Sequence, residues 1–151
     1  MLSNVSSALK ENGYFFGTCF DGELVNDFLN EHDGSFISKE GNDSDINYKL
    51  TRNYSPLQIL PNTEASLGKS VEVYFGSIGS TVNEYLVSFR YLEEVAKKYN
   101  LSLVKVADFT EEIEQVAKAS IKFGKADELV KHKDLLQYSS MNKKFIFQKT
   151  A

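Results

Sequence analysis

Few side chains of this sequence stand in patterns that could do chemistry, and most of those patterns break. "TEASLGKS", Thr63 to Ser70, ends as a phosphate-cradling loop does, in Gly68-Lys69-Ser70. Thr63 stands where that loop needs its first glycine, and a strand pattern follows where a helix should open. "DSDIN" begins like a calcium loop at Asp43. Its sixth position is Tyr48, where glycine makes the turn, and its twelfth is Tyr54, where glutamate closes the coordination. His32 and His132 are far apart in sequence, and Cys19 is the lone cysteine. These residues build neither a disulfide, nor a metal site, nor a triad. No Gly-x-Gly-x-x-Gly occurs. One stretch stands out: "GYFFGTCFDGELV", Gly13 to Val25, where an apolar run breaks at Gly17-Thr18 and again at Phe20-Asp21-Gly22. A buried strand ends in this way at a site-facing turn.

The elements that would position such a turn can be read from periodicity. Val5, Ala8 and Leu9 share a helical face, and Asn12-Gly13 is a stop signal. "YFFGTCF" is apolar on both faces, as a central strand of a covered sheet is. Leu24, Val25, Phe28 and Leu29 have helical spacing. Residues 32–44, rich in Gly, Ser, Asn and Asp, read as a loop. "INYKLTRNY" sets Ile46, Tyr48 and Leu50 against polar partners, which suits a half-exposed antiparallel strand. "SVEVYFGSI" alternates again, after a loop holding Pro56 and Pro61. The strongest helical pattern covers Asn83 to Asn100, with Tyr85, Val87, Leu92, Val95, Ala96 and Tyr99 apolar and Glu93-Lys97 an i,i+4 pair. "LSLVKVADF" predicts a strand, one or two helices run from Thr110 to about Leu136, and "KKFIFQK" closes as a strand. With no internal repeat, this order is α/β in a single domain, residues 1–151.

A 151-residue chain with 42% hydrophobic content can bury a real core, and 8 Tyr with 11 Phe supply much of its area. Net charge of -4 and a pI near 5.2 exclude a broad polyanion-binding face, so a nucleic acid would be gripped locally. The first residues lack the apolar core of a signal peptide, and no run approaches a membrane span. A soluble, intracellular protein with no membrane partner is expected. The sequons at Asn4, Asn42, Asn53 and Asn100 are then coincidental.

Three stretches together resemble the mRNA cap guanine-N7 methyltransferases, most closely those of large DNA viruses. "NVSSALKENGYFFGTCFDGELV" is similar to that family's helix, strand and turn, where a Gly-Tyr-Phe-Ile-Gly-Thr-Cys-type strand precedes Asp-Gly. "SLGKSVEVYFGSIGSTVNEYLVSFRYLEEVAKKYNLSLV" is similar to its cap-facing strand and helix, and "SSMNKKFIFQK" to its closing Asn-Arg-x-Phe-Ile-Phe strand. The resemblance implies the C-terminal portion of a Rossmann-like, S-adenosylmethionine-dependent methyltransferase fold with an inserted antiparallel β-hairpin. It implies methylation of guanine N7 of the mRNA 5' cap. The family's glycine-rich donor loop and its His-Tyr pair lie upstream of everything matched here. Met1 falls just before the family's fifth strand, so a truncated gene, a split gene or a fragment is expected. S-adenosylmethionine would be bound mainly by the missing N-terminal half, with no cofactor-binding residue in this chain. Apolar surface on "YFFGTCF" would await sheet neighbours from that half. The implied partners are a capped mRNA 5' end (GpppN) and a separate N-terminal half or capping-enzyme subunit, in the host cytoplasm or virion if the protein is viral.

By the same resemblance, the residues that would bind the cap guanine are Glu84, Tyr74, Phe20 and Asn142. Glu84 matches the glutamate of the family's Pro-Glu-Phe-Leu-Val segment, here Asn83-Glu84-Tyr85-Leu86-Val87. Its carboxylate would accept from guanine N1–H and N2–H, which adenine lacks in that arrangement. Read alone, Glu84 is a first-turn acid favoured by the helix dipole. Tyr74, ten residues earlier, would stack on the base, and a one-residue change of register would put Phe75 there instead. Phe20 stands where many relatives have proline, with core packing as its alternative role. Asn142 stands where cellular relatives have a cap-contacting tyrosine, and its amide could bond base or ribose. No general acid or base is implied: guanine N7 is a lone-pair nucleophile, and rate comes from positioning. The competing expectation is a non-catalytic module, binding capped RNA or serving as a partner subunit, that has lost the donor half.

Overall fold

The computed structural model describes residues 1–40, 45–111 and 133–151. They form two compact units, one of residues 1–19 with 93–151 and one of residues 20–92. Most of the segment expected to be helical between Thr110 and Leu136, His132 included, lies outside the described residues.

The first unit is built on a three-stranded sheet in the order β1-β7-β6, from Tyr14–Phe20, Asn142–Lys149 and Leu101–Asp108. β6 and β7 are antiparallel, Val106 opposite Phe145 and Leu103 opposite Phe147, with a bulge between Leu103 and Lys105. Phe15 packs edge-on to Phe145 at 5.3 Å and stacks with Phe147 at 6.4 Å, and Leu101 and Phe147 are fully buried. Gly17 makes room for that layer: a Cβ there would stand 2.9 Å from the Phe145 ring. Helix α1, Leu2–Ala8, is tied to the last strand by Lys149, whose ammonium donates to the Ser6 carbonyl at 3.0 Å and to the Ser6 hydroxyl. Asn12 N–H donates to the Lys149 carbonyl at 2.9 Å, and Lys149 N–H to that of Gly13 at 2.8 Å. Helix α4, Lys133–Ser140, leads into β7. The central position that "YFFGTCF" suggested by composition is not what is found. Among the described residues β1 is an edge strand beside β7, with Tyr14 and Phe16 exposed as the resemblance anticipated.

The second unit holds α2, Gly22–Glu31, and a four-stranded antiparallel sheet in the order β2-β3-β4-β5. Its strands are Ser35–Glu40, Asp45–Arg52, Ser70–Phe75 and Ser80–Tyr85. Opposed residues share a face, so Tyr48 with Phe75 and Leu50 with Val73 fix one face by register. Tyr48, Leu50, Val71 and Val73 are buried on it. Val25, Phe28 and Leu29 of α2 cover that face, and Phe28, Phe36, Tyr48 and Phe75 form a chain of ring contacts. Tyr54 hydroxyl donates to Asn26 Oδ1 at 3.0 Å and Arg52 to Asn30 Oδ1 at 2.6 Å, which pins the helix to β3 and its continuation.

Three sequence expectations give way here. Part of the expected loop 32–44 is β2, whose Phe36 lies opposite Leu50 and joins the ring cluster. The inserted hairpin is a four-stranded sheet. Helix α3 spans Phe89–Lys97 and does not begin at Asn83. Residues 80–85 pair with β4 as β5, so Tyr85 and Val87 belong to no helical face. Ser88 opens the helix: its carbonyl accepts from Leu92 N–H at 2.8 Å and its hydroxyl from Tyr91 N–H at 3.4 Å. The Glu93–Lys97 pair forms as spaced, at 2.7 Å.

Candidate functional site

The turn after β1 is accounted for locally. Asp21 precedes α2 and its Oδ1 accepts from Glu23 N–H at 2.9 Å and Leu24 N–H at 3.5 Å, which is an N-cap. Gly22 N–H donates to the Val87 carbonyl at 2.9 Å. A Cβ on Gly22 would meet Leu60 Cδ2 at 2.5 Å and the Val87 carbonyl at 3.0 Å, so only glycine lets these segments approach. Phe20 is 2% exposed, and packing is its role in this structure: a ring sealed in the core offers no face to a ligand.

Glu84 is on β5, an edge strand, opposite Val71 of β4, and therefore on the face that α2 covers. It is half-buried, and its carboxylate has no hydrogen bond or ion pair among the described residues. Loss of hydration raises its pKa above the ordinary glutamate value. Because the residue stands on a strand, the helix-dipole reading of Glu84 falls away.

Tyr74 is opposite Lys49 on one side and Thr81 on the other. These pairings put it on the opposite face of the sheet from Glu84. Phe75 shares Glu84's face, but it lies about 13 Å along the strand from Val71, at 3.3 Å per residue. Its ring is stacked on Tyr48 at 6.3 Å. Asn142 belongs to the other unit, at the start of β7, where its Nδ2 donates to the Tyr138 carbonyl at 3.0 Å and closes the end of α4. Of the four expected cap residues, then, Glu84 and Tyr74 share a hairpin on opposite faces, Phe20 is internal, and Asn142 serves as a helix stop.

A feature the sequence did not announce is a cleft of about 500 Å³ in the first unit, lined by Phe16, Thr18, Lys105, Lys144, Phe145 and Ile146 among others. Lys105 and Lys144 share Glu111, at 3.4 and 3.3 Å, and the two ammonium groups lower the Glu111 pKa. Among the described residues no carboxylate lines the cleft to hold ribose hydroxyls, so these residues do not fit S-adenosylmethionine. Among the described residues no cluster of His, Cys, Asp and Glu could hold a metal ion, and no helix is long and apolar enough to cross a membrane.

Residues 1–143 match the mRNA (guanine-N(7))-methyltransferase domain. The chain belongs to that family. It is similar to a probable mRNA-capping enzyme of Acanthamoeba polyphaga mimivirus, 31% identical over 109 residues, which are 68% of this chain and 9% of that protein. In fold it is similar to the CcbJ methyltransferase of Streptomyces caelestis, with a TM-score of 0.50 and 12% identity, over 99% of this chain and 49% of that one. An S-adenosylmethionine-dependent methyltransferase of Clostridium acetobutylicum gives a TM-score of 0.49 and 12% identity, over 99% and 50% of the two chains. The chain thus spans about half the length of the Streptomyces methyltransferase it matches. Its mixed α/β architecture, with antiparallel sheets, is that of a methyltransferase over that half.

Proposed function

We propose that this chain supplies the cap-binding wall of an mRNA cap guanine-N7 methyltransferase, and that residues 1–151 act together as its C-terminal part. Glu84 carries the reading. A half-buried carboxylate that gains no partner among the described residues loses hydration without return, which costs stability unless a ligand supplies donors. Guanine presents two, N1–H and N2–H, spaced for one carboxylate. Bound there, the base would regain for Glu84 the hydrogen bonds that burial removed, and its N7 edge would be left outward for reaction. The chain's contribution is position and identity. In this register one ring cannot meet both Glu84 and Tyr74, so Tyr74 stacks on a different base of the capped end. Asn142 offers its amide oxygen to base or ribose. S-adenosylmethionine is held by polypeptide other than the residues described.

Calorimetric titration with GpppA and ApppA tests this. The chain is expected to prefer GpppA, and Glu84→Gln to erase that preference, because the new amide donor opposes a guanine N–H. A donor left facing a donor costs about 1–3 kcal/mol, a roughly ten- to hundredfold loss. Equal binding of the two dinucleotides by the unaltered chain rejects the reading.

The poor fit of the cleft to the donor favours a second reading, a cap-binding or partner-subunit module without catalysis. Methyl incorporation into GpppA, once a donor-binding half and S-adenosylmethionine are added, separates the two.

A further inference from the structure

The face of the second unit's sheet that turns away from α2 is not the plainly charged face of a sheet that only meets water. Ile37, Lys49, Tyr74 and Thr81 lie side by side across its strands. Ser35, Thr51, Glu72 and Asn83 form the next row. Tyr85 stands beyond that row, opposite Ser70, with 69% of its surface exposed. The register sets Tyr74 and Tyr85 about 14 Å apart, from a rise of ~3.3 Å per residue and a strand spacing of ~4.8 Å. On the same face, between the two rings, Asn53 Nδ2 donates to Asn83 Oδ1 at 2.8 Å. Neither tyrosine hydroxyl nor the Lys49 ammonium has a hydrogen bond or ion pair among the described residues. Ile37 is the one aliphatic side chain in these rows, too little for the apolar core of a protein interface. Two rings set among hydroxyls and amides, with a lysine beside one of them, suit a single-stranded nucleic acid. The rings give bases a face to stack on, the small polar groups meet base edges, and the ammonium meets phosphate.

We propose that this sheet face is a platform for single-stranded RNA, on which Tyr74 and Tyr85 stack separate bases and Lys49 pairs with a phosphate. Lys49 lies opposite Tyr74, so the phosphate it holds belongs to the nucleotide stacked there. Glu72, in the row between the two rings, repels the backbone and keeps it to the Lys49 side. Bases are taken without regard to identity, because every base has a π face. The platform joins the guanine site through β5. Glu84 and Tyr85 are consecutive on that edge strand and point to opposite faces of the sheet. A capped end whose guanine sits on Glu84 turns over the edge, sets its next base on Tyr74 and a later one on Tyr85. Only that path rests on the reading of Glu84; the platform itself needs no cap.

Fluorescence anisotropy with an uncapped oligoadenylate, alone and annealed to oligouridylate, tests the platform. The probe holds no guanine and no cap, so its failure is distinct from failure of guanine recognition. The chain should bind the single strand, and bind the duplex at least roughly tenfold more weakly, because paired bases offer no free face. Tyr74→Leu and Tyr85→Leu should each weaken single-strand binding roughly tenfold or more. Tyr74→Phe and Tyr85→Phe, which keep the ring, should hold it within about twofold. Tyr85→Leu is the safer variant, since its ring is mostly in water, and its melting temperature should match that of the unaltered chain. Extending GpppA by further nucleotides should tighten binding roughly tenfold, a gain that Tyr85→Leu removes. No binding of oligoadenylate, equal binding of the duplex, or full affinity in both leucine variants overturns the proposal. So does a dimer through this face, seen as concentration-dependent sedimentation that Tyr85→Lys abolishes.

Discussion

Glu84 is costly to ionise where it sits, and that makes its behaviour with pH informative. Desolvation places its folded pKa above the unfolded value, so stability present below the ordinary carboxylate range is lost as pH rises through the folded pKa. Glu84→Gln removes that loss. Its melting temperature should therefore improve relative to the unaltered chain as pH rises from about 4 to 7, while guanine preference disappears. Substitution of a merely structural glutamate would lower stability and leave guanine preference unchanged. Cap affinity of the unaltered chain should rise over the same pH range, because only the carboxylate accepts both guanine donors. Tyr74 is a separate matter. Tyr74→Ala should weaken GpppA and ApppA alike, by roughly 1–3 kcal/mol per stacked base. Phe75→Ala, which removes a half-buried ring stacked on Tyr48, should mainly lower stability, by about 1–3 kcal/mol. If Phe75→Ala instead abolishes cap binding in a chain of normal stability, the assignment of the stacking ring moves to Phe75.

At the scale of elements, strands with a buried face were legible, and β2 and β5 at the edges of the second unit's sheet were not. β3 announced itself through Tyr48 and Leu50, which are fully buried, and β4 through Val71 and Val73. β5 buries almost nothing: Ser80 to Asn83 and Tyr85 are all exposed, so no hydrophobic alternation marks it, and its identity comes from pairing with β4. The helical reading of Asn83 onward borrowed Tyr85 from that strand and Val87 from the link after it, and the start signal was Ser88. The candidate site shows the same limit. Family resemblance supplied residue types, but the face each one takes depends on where the hairpin turn falls. Val71 opposes Glu84 and Tyr74 opposes Thr81, so in this hairpin two even-numbered residues on different strands point apart. Spacing along the sequence cannot supply that. The turn at Asp21-Gly22 looked site-facing for a comparable reason, since a cap and a ligand loop use the same residues. Asp21→Ala should cost about 1 kcal/mol through the lost cap, read as a lower melting temperature with unaltered GpppA affinity.

For the whole molecule, the second unit is one unbroken stretch, residues 20–92, while the first is assembled from the two ends of the chain. Lys149 bonds to Ser6 and Gly13, so the hold on α1 and the start of β1 is delivered by β7, which is made after the whole of the second unit. Synthesis runs in one direction, and segments fold as units while it proceeds. The second unit should therefore become protease-resistant on the ribosome, whereas the first nineteen residues, with the apolar Phe15 and Phe16 among them, wait for Phe145 and Phe147 to emerge. Limited proteolysis of stalled nascent chains would show cleavage within residues 1–19 at every length short of β7. During that interval the apolar strand β1 lacks the partner its ladder needs, so the time it spends exposed is set by how soon the eight residues of β7 are completed.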